Sequence, residues 1–283
     1  MLIFLKERQE DNMPEIAEVE TVRNTLKKRI LNKKIIKVDV YYEAMIESNI
    51  EDFKKNLVNQ SFIDIKRRGK WLIFETEDYY LLSHLRMEGK YFIKELEVKE
   101  KHEHVIFTFS DNTTLRYHDT RKFGRMRLIL KEELMHTECI LKQGLEPGDK
   151  DLTSDYLLNK FRNKRLPIKS VLLDQTIISG LGNIYVNEVL FASSINPLRC
   201  ASSLTKEECE RIVLTSAKII KEAIKMGGTT IKSYTSSLGV TGRFQQKLKV
   251  HKREGEACYQ CGTKIKNIKI GGRSTYYCPT CQK

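Results

Sequence analysis

The 283-residue sequence has a single tryptophan, a mean hydropathy of -0.44 and no uninterrupted apolar stretch of membrane-spanning length. A transmembrane helix needs about 20 mainly apolar residues, so this pattern excludes a membrane-spanning protein of that kind. The opening apolar run, Met1 to Leu5, is shorter than the roughly 7–15-residue core of a secretory signal and is followed at once by charged residues. We therefore expect a soluble globular protein that stays in the cytoplasm.

Cysteines are few and odd in number, seven, and four of them form two close pairs, Cys258-x-x-Cys261 and Cys278-x-x-Cys281. An odd count with this spacing argues against a disulfide scaffold and favours a reducing compartment. The pairs stand close enough in sequence to complete one tetrahedral Zn²⁺ site from adjacent turns. Four thiolates leave no open coordination position, so the predicted zinc is structural. The remaining cysteines are interpreted as ordinary half-buried thiols: Cys139, Cys200 and Cys209.

Negative charge is in short supply, with 37 Asp and Glu against 50 Lys and Arg, which gives a net charge of +13. Such a surplus favours a polyanionic partner. Inside the predicted zinc hairpin, four basic residues alternate with isoleucine and tyrosine, a pattern suited to a phosphate backbone: Lys264, Lys266, Lys269 and Arg273. Taken alone, this hairpin is equally typical of ribosomal, transcriptional and repair proteins.

The apolar pattern changes period along the chain. Spacings of three and four predict an amphipathic helix that follows Pro14 and runs to Ile30, and short β-rich runs follow from Ile35 to about Leu130. Turn formers at residues 144–149 mark a boundary. The second half predicts helices at 155–161, 168–178, 183–193 and 204–226, the last opened by a Thr205-x-x-Glu208 capping box. A loop rich in glycine, serine and threonine then extends from Gly227 to Gly242.

The segment Met13-Pro14-Glu15-Ile16-Ala17-Glu18-Val19-Glu20-Thr21-Val22 resembles the start of the formamidopyrimidine-DNA glycosylases, the Fpg family. Further segments agree in order: Arg68-Gly69-Lys70, His84-Leu85-Arg86-Met87-Glu88-Gly89, Lys101-His102-Glu103-His104, Asp119-Thr120-Arg121-Lys122-Phe123-Gly124, Ile168-Lys169, Gly180-Leu181-Gly182-Asn183-Ile184-Tyr185, Gly227-Gly228-Thr229-Thr230 and the cysteine tail. The resemblance covers residues 13–283.

The resemblance implies an α+β fold, with a helix-capped antiparallel β-sandwich followed by a helix-two-turn-helix domain and a zinc-ribbon hairpin. The expected domains are 13–143, 144–242 and 243–283, after a non-native extension at 1–12. It also implies a monomeric bifunctional DNA glycosylase and AP lyase in base excision repair. Its partner would be double-stranded DNA containing 8-oxoguanine or formamidopyrimidines, in the bacterial nucleoid, with one structural Zn²⁺ and no membrane.

Base removal with strand cleavage needs a nucleophile for the sugar C1′ and a nearby acid. Pro14 and Glu15 supply both if Met13 is removed, since an α-amino group titrates near pH ~8 against ~10.4 for lysine. By resemblance, Pro14 forms the Schiff base and Glu15 is the acid for glycosidic cleavage. Lys70 is the acid/base partner in β-elimination, and Arg273 assists δ-elimination. Without the other segments, Pro14 and Glu15 would read as ordinary helix-start residues.

A base inside a duplex must be flipped out, which requires wedge side chains and phosphate clamps. By resemblance, Met87 fills the vacated stack, Phe123 inserts at the opposite strand and Arg121 contacts the orphaned base, a cytosine. For Met87 and Phe123 the alternative is the β-domain core. The remaining predicted DNA contacts are His84, His102, Lys164, Lys169 and Asn183, and for the two histidines the alternative is a structural imidazole. The Gly227–Gly242 loop is either a lid over the everted base or a plain surface loop.

Two features depart from the family pattern. Ala17 stands where the family often has a second proline, which removes rigidity but no functional group. The segment Met1 to Asn12 is the larger departure, because a translated extension would leave the Pro14 nitrogen an amide that cannot form an iminium. We therefore expect translation to start at Met13. Gln9-Glu10-Asp11 can be encoded by codons that contain AGGAGG, a bacterial ribosome-binding sequence.

Two alternative functions remain open at this point. The endonuclease VIII type of glycosylase favours oxidised pyrimidines, although Ile16 and the Lys101–His104 segment favour the purine enzyme. A non-catalytic zinc-ribbon DNA-binding protein is the alternative of another class, and a permanently amide-blocked Pro14 would require it.

Overall fold

The computed structural model describes residues 13–229 and 242–283. The predicted extension Met1 to Asn12 and most of the predicted loop after Gly228 lie outside these residues. Contacts divide the described residues into two compact units, one formed by residues 13–141 with 227–229 and 242, and the other by 142–226 with 243–283. The domain limits expected from the sequence stay a prediction.

The described part of the N-terminal unit contains eight strands: β1 Ile35–Val40, β2 Asp64–Arg68, β3 Trp71–Glu75, β4 Tyr79–His84, β5 Lys90–Glu95, β6 Glu103–Phe109, β7 Thr113–His118 and β8 Arg125–Leu130. They form two antiparallel four-stranded sheets, with strand orders β1-β6-β7-β5 and β2-β3-β4-β8. They confirm the predicted antiparallel β domain. Charged residues interrupt the apolar alternation of strands β2 and β5.

The core of this unit is shared by both sheets and by helix α1, Ile16–Ile30. The predicted apolar face of α1 is buried there: Val19, Val22, Leu26 and Ile30. Between the sheets, Phe62 contacts Phe74 and Phe107 with ring centroids 5.1 and 5.9 Å apart. Burial of each such side chain contributes about 1.5–3 kcal/mol. A short helix α2, Ile50–Leu57, begins at the Asn49 side chain, which accepts the Asp52 N–H.

The remaining described helices are α3 Glu138–Leu141, α4 Ser154–Phe161, α5 Ile168–Leu172, α6 Asn183–Ala192 and α7 Lys206–Lys225. The predicted capping box of α7 is confirmed, with Thr205 Oγ1 accepting the Glu208 N–H and Glu208 Oε2 accepting the Thr205 N–H. The predicted helix 168–178 is wrong beyond Leu172. Its continuation is a turn organised by Gln175, whose amide donates to Leu173 O and Leu181 O while its oxygen accepts the Gly180 N–H.

The C-terminal hairpin pairs β9, Lys266–Ile270, with β10, Arg273–Tyr277. Its apolar side packs on α6, where Phe191 shares a buried cluster with Val250, Ile265 and two cysteines. The hairpin is therefore part of the same compact unit as the helices. In the described ranges, no helix is both long and apolar enough to cross a membrane.

Candidate active site and DNA-contact surface

The Pro14-Glu15 pair lies directly before helix α1. Glu15 is the N-cap residue and is only 2% exposed, while Pro14 is half-buried. The Glu15 N–H donates to Glu18 Oε2 at 3.0 Å, and the Glu15 carbonyl accepts the Val19 N–H. Pro14 therefore lies next to the positive end of the helix dipole, which disfavours protonation of an amine at that position.

Glu18, in the first turn of α1, joins this end of the helix to Thr229. Glu18 is 4% exposed, and its Oε1 accepts hydrogen bonds from the Thr229 N–H at 2.6 Å and from the Thr229 hydroxyl at 3.0 Å. Gly228, at φ 78°, passes so close that a Cβ there would lie 2.6 Å from the same oxygen. One buried carboxylate thus fixes both the Pro14-Glu15 segment and the start of the Gly227–Gly242 loop.

Lys70 is the second residue of the turn between β2 and β3 and is 5% exposed. Gly69 adopts φ 56° in this turn, a conformation that glycine takes at little cost. Arg67 fastens the hairpin to α1, since its guanidinium donates to Glu20 at 2.8 Å and to the Gly69 carbonyl at 2.9 Å. The Lys70 side chain is therefore carried by a fixed turn.

His84 ends β4 and is 8% exposed, with its ring 4.8 Å from Trp71 in an edge arrangement. Burial, helped by the positive charges of Arg86 and Lys70, lowers the pKa of His84 to about 3. Its Nδ1 accepts the Arg86 N–H at 3.0 Å, so the neutral ring carries its proton on Nε2. His84 is thus a fixed neutral donor close to the Lys70 charge, and the prediction that it contacts DNA stays a prediction.

The Asp119–Gly124 segment is shaped by the buried Asp119 carboxylate. Its two oxygens accept the backbone N–H groups of Arg121, Phe123 and Gly124 at 2.8–2.9 Å. The Arg121 guanidinium lies 4.7 Å from the centroid of the Phe123 ring. A rigid loop therefore presents Arg121 and Phe123 together.

Neither predicted wedge side chain belongs to the β-domain core. Phe123 is 45% exposed and Met87 is half-buried. Arg121 Nη1 is buried and has no hydrogen-bond partner within the described residues. A buried N–H left unpaired is costly, so this atom is suited to donate to a group that arrives from outside. The three positions fit their predicted roles, which stay predictions.

His102 lies at φ 68° in the loop between β5 and β6. Arg116, 1% exposed, holds this loop: its guanidinium donates to the carbonyls of Glu95, Val98 and Glu97 and to the Glu103 carboxylate at 2.8–3.3 Å. Burial opposes ionisation of Glu103, yet hydrogen bonds from the Glu100 N–H, Lys94 and Arg116 lower its pKa. The half-buried His102 therefore lies in a loop that is held by the buried ion pair between Arg116 and Glu103.

In the C-terminal unit, three predicted residues lie close to β10. Lys169 is fully buried and donates to Asn187 Oδ1, Ser274 O and Thr275 Oγ1 at 2.9, 2.7 and 2.7 Å. Asn183, the first residue of α6, donates its amide to the same Ser274 carbonyl at 3.1 Å. Arg273, next to Ser274, is exposed at the start of β10.

These contacts bear on the prediction that Lys169 contacts DNA, which stays a prediction. The buried Lys169 ammonium has three acceptors within the protein, an arrangement that favours a positioning role over the direct DNA contact that the resemblance implies. Lys164, by contrast, is exposed beyond the end of α4 and is available to a phosphate.

The four paired cysteines form the only cluster of metal-ligand type in the described part of the chain, and their sulfur atoms all lie within 4.8 Å of one another. Cys258 and Cys281 are 3.9 Å apart and Cys261 and Cys278 are 3.5 Å apart, between sulfur atoms. A tetrahedral Zn²⁺ with bonds of about 2.3 Å places its sulfurs about 3.8 Å apart. The geometry fits a closed four-thiolate zinc site.

Three family models match the chain in order: the formamidopyrimidine-DNA glycosylase N-terminal domain over residues 13–126, the H2TH domain of the same enzymes over 143–235, and the zinc finger found in FPG and IleRS over 255–283. The chain belongs to the formamidopyrimidine-DNA glycosylase family. This confirms the predicted family, the α+β fold with its zinc hairpin, and one structural zinc held by the cysteine cluster. Membership also makes the chain a DNA glycosylase of DNA repair.

Individual relatives agree over nearly the whole chain. Formamidopyrimidine-DNA glycosylases of Bacillus cereus and Lactobacillus helveticus are each 46% identical, over 95% of this chain and 99% of their own. The Lactococcus lactis Fpg, solved with DNA containing an abasic site, is 41% identical with a TM-score of 0.90, and the match covers 95% of this chain and 99% of that one. Another Lactococcus lactis complex holds DNA with an N7-benzyl-Fapy-dG, at 41% identity and the same TM-score, over 95% of this chain and 100% of that one.

Sequence reasoning missed the residues that hold the site in place: Glu18, Arg116, Asp119 and Gln175. Each is a buried or half-buried side chain that accepts or donates two or more backbone hydrogen bonds. Only Glu18 carried a local signal, because its spacing of three from Glu15 is that of a capping box.

Proposed function

We propose that this glycosylase excises oxidised purines, 8-oxoguanine and formamidopyrimidines, from duplex DNA and then cleaves the strand by β,δ-elimination. The observation that carries the proposal is the placement of Pro14 immediately before Glu15, a buried N-cap carboxylate at the amino end of a 15-residue helix. A nucleophile and an acid are thereby adjacent, next to a fixed positive dipole.

The proposed chemistry follows from these groups. The neutral Pro14 nitrogen attacks C1′ as the glycosidic bond breaks toward the base. Glu15 supplies a proton, the C1′–O4′ bond breaks so that the sugar ring opens, and the nitrogen loses its own proton to leave an iminium at C1′. The iminium withdraws electrons, so C2′ gives up its proton, with Lys70 as the acid/base partner, and the C3′–O bond breaks to release the 3′ phosphate. From the motif resemblance alone, Arg273 is proposed to assist departure of the 5′ phosphate in the second elimination. The neutral His84 donor near Lys70 suits a phosphate at this position.

The proposal requires a free amino group on Pro14. A secondary amine condenses to an iminium, whereas an amide nitrogen has no available lone pair. The active form is therefore proposed to begin at Pro14, after removal of Met13 from a Met13-start product. The family match begins at the same place, residue 13.

The substrate class is supported by the relatives. A Lactococcus lactis Fpg mutant has been solved with DNA containing Fapy-dG, and the Lactococcus lactis Fpg has been solved with abasic-site DNA. We propose duplex DNA with an oxidised purine as the partner of this chain, bound by one protein molecule. Because such DNA is chromosomal, we propose that the enzyme acts at the nucleoid. Light scattering of protein and of its complex with one duplex would report one protein per duplex.

Borohydride trapping tests the function directly. Met13-start and Met1-start proteins are incubated with duplexes carrying 8-oxoguanine or thymine glycol, and adducts are located by peptide mass spectrometry. We expect an adduct at Pro14, from the Met13-start protein only, and mainly with 8-oxoguanine. Preferential trapping on thymine glycol would move the enzyme to the endonuclease VIII type. No adduct on either duplex would overturn the proposed Schiff-base chemistry at Pro14.

A further inference from the structure

Two loops of the N-terminal unit meet at the side chain of Tyr117. The first, Leu85–Gly89, carries Met87, and the second, Asp119–Gly124, carries Arg121 and Phe123. Tyr117 is completely buried in β7, and its ring packs against Tyr91 at 5.1 Å. Its hydroxyl points to the place where both loops end.

The closeness is measured at the two glycines. A Cβ built on Gly89 would lie 2.0 Å from the Tyr117 hydroxyl oxygen, and one built on Gly124 would lie 1.8 Å from it. Real Cβ atoms do not approach other atoms so closely. Both positions therefore have to be glycine for the tyrosine ring to stay where it is, although neither glycine has a positive φ.

A second link joins the same loops. The Thr120 hydroxyl donates to the Glu88 carboxylate, one residue from Met87 and one residue from Arg121. The Asp119 carboxylate meanwhile fixes the backbone of the second loop through three N–H groups. The two loops are thus connected at their tips by one hydrogen bond and at their ends by one buried ring.

We propose that Tyr117 is a positioning residue that sets the spacing between Met87 and the Arg121–Phe123 pair. The inference rests on the proposed function, in which Met87 fills the vacated stack while Arg121 and Phe123 act on the opposite strand. The consequence is that insertion of Met87 into the vacated stack and contact of Arg121 with the orphaned base are coupled through Tyr117. A shift of one loop relative to the other impairs both, and misplacement by about 1 Å can cost about 100-fold in rate.

Gly124→Ala perturbs the contact between Gly124 and the Tyr117 hydroxyl. Tyr117→Phe removes that hydroxyl and is combined with it in a double variant. In the Tyr117→Phe background the closest contact of the added methyl group relaxes from 1.8 to 2.7 Å, the distance to the ring carbon. Each variant and the double variant are assayed for excision of 8-oxoguanine opposite cytosine and opposite adenine. Tyr91→Phe is the control, because it removes a buried hydroxyl from the neighbouring ring without touching either glycine.

We expect Gly124→Ala to lower excision opposite cytosine by about 100-fold and excision opposite adenine by less, so that the ratio of the two rates falls. Tyr117→Phe should restore part of the loss in the double variant, a coupling that a merely destabilised fold would not show. The control should keep the wild-type ratio. A folded Gly124→Ala protein with an unchanged ratio, or with the same defect in both backgrounds, overturns the inference.

A second readout separates this inference from the proposed function. 2-Aminopurine opposite an abasic-site analogue reports unstacking by fluorescence and needs no excision. We expect Gly124→Ala to reduce the rise in fluorescence on binding, and an undiminished rise would contradict the inference. If the wild-type protein excises no oxidised purine, the proposed function fails, while the fluorescence result still decides the role of Tyr117.

Discussion

Glu18 and Thr229, 211 positions apart in the chain, are joined by two hydrogen bonds to a single carboxylate oxygen. The other oxygen accepts the Glu15 N–H. The carboxylate is buried, and charge-assisted hydrogen bonds in such surroundings are worth about 1.5–3 kcal/mol each. The position of the acid next to Pro14 is thus coupled to the position of the loop that begins at Gly227.

Replacement of this carboxylate should slow base excision. Glu18→Gln replaces one carboxylate oxygen by an NH₂ group, which cannot accept a hydrogen bond. The hydrogen bond from either the Glu15 N–H or the Thr229 N–H is therefore lost. We expect single-turnover excision of 8-oxoguanine to fall about 10- to 100-fold. Thr229→Val is the control, since it removes the hydroxyl but keeps the backbone N–H, and its loss should be smaller. Equal effects of the two variants would contradict the coupling.

Glu15→Gln tests the acid itself. An amide cannot protonate a leaving base, and general acids contribute about 10²- to 10⁴-fold. We expect a loss of that size in 8-oxoguanine excision, with binding of the damaged duplex retained in a gel-shift assay. Unchanged excision would show that another group is the acid.

Local sequence signals predicted a large part of this molecule. The α1 stripe, the Thr205-Glu208 capping box and the cysteine spacing each depend on residues within about twenty positions, and all three are confirmed. The two wedge loops were also visible as ordered motifs. The exposed position of Phe123 in the second loop depends on Asp119. Its carboxylate accepts the N–H groups of Phe123 and Gly124 and so turns the chain outward within five residues.

Contacts between distant segments could not be predicted. Nothing near Lys169 in sequence indicates that its acceptors include Ser274 and Thr275, more than a hundred positions away. A lysine beside an apolar residue is typical of a surface charge, and lysines are rarely buried without partners. The same limit applies to the predicted helix 168–178, where the Gln175 side chain takes the place of helical backbone bonds.

The salt dependence of DNA affinity distinguishes a lysine that contacts a phosphate, as expected for Lys164, from a buried positioning lysine, as expected for Lys169. Each phosphate contact contributes about 0.9 to the slope of log affinity against log salt. We expect Lys164→Met to lower this slope by about one contact and leave the melting temperature unchanged. Lys169→Met should lower the melting temperature, because three buried acceptors lose their donor, without reducing the slope by a contact of its own. The reverse pattern would restore Lys169 as a direct contact.

Loss of the zinc should weaken DNA binding through Arg273. The Ser274 carbonyl holds β10 against Lys169 and Asn183, and the cysteine cluster anchors the other end of the hairpin. Structural zinc sites contribute folding free energy directly, so Cys278→Ser or treatment with a chelator should unfold the hairpin. We expect loss of bound zinc, measured by atomic absorption, together with loss of duplex affinity. Cys200→Ser, outside the cluster, should retain both.

His84 should make the protein less stable in acid. Its pKa in the folded state is about 3, against 6.5 for an unperturbed histidine, so the unfolded chain binds more protons between those values. The stability of the neutral buried ring is fully present above about pH 6.5 and falls as the pH drops toward 3, by up to about 1.4 kcal/mol per pH unit. We expect His84→Gln to flatten the dependence of the free energy of unfolding on pH between 6.5 and 5, measured by urea denaturation. The exposed His136→Gln is the control. An identical pH dependence in His84→Gln and wild type would mean that the His84 ring is protonated in the folded protein, which the Arg86 N–H bonded to its Nδ1 argues against.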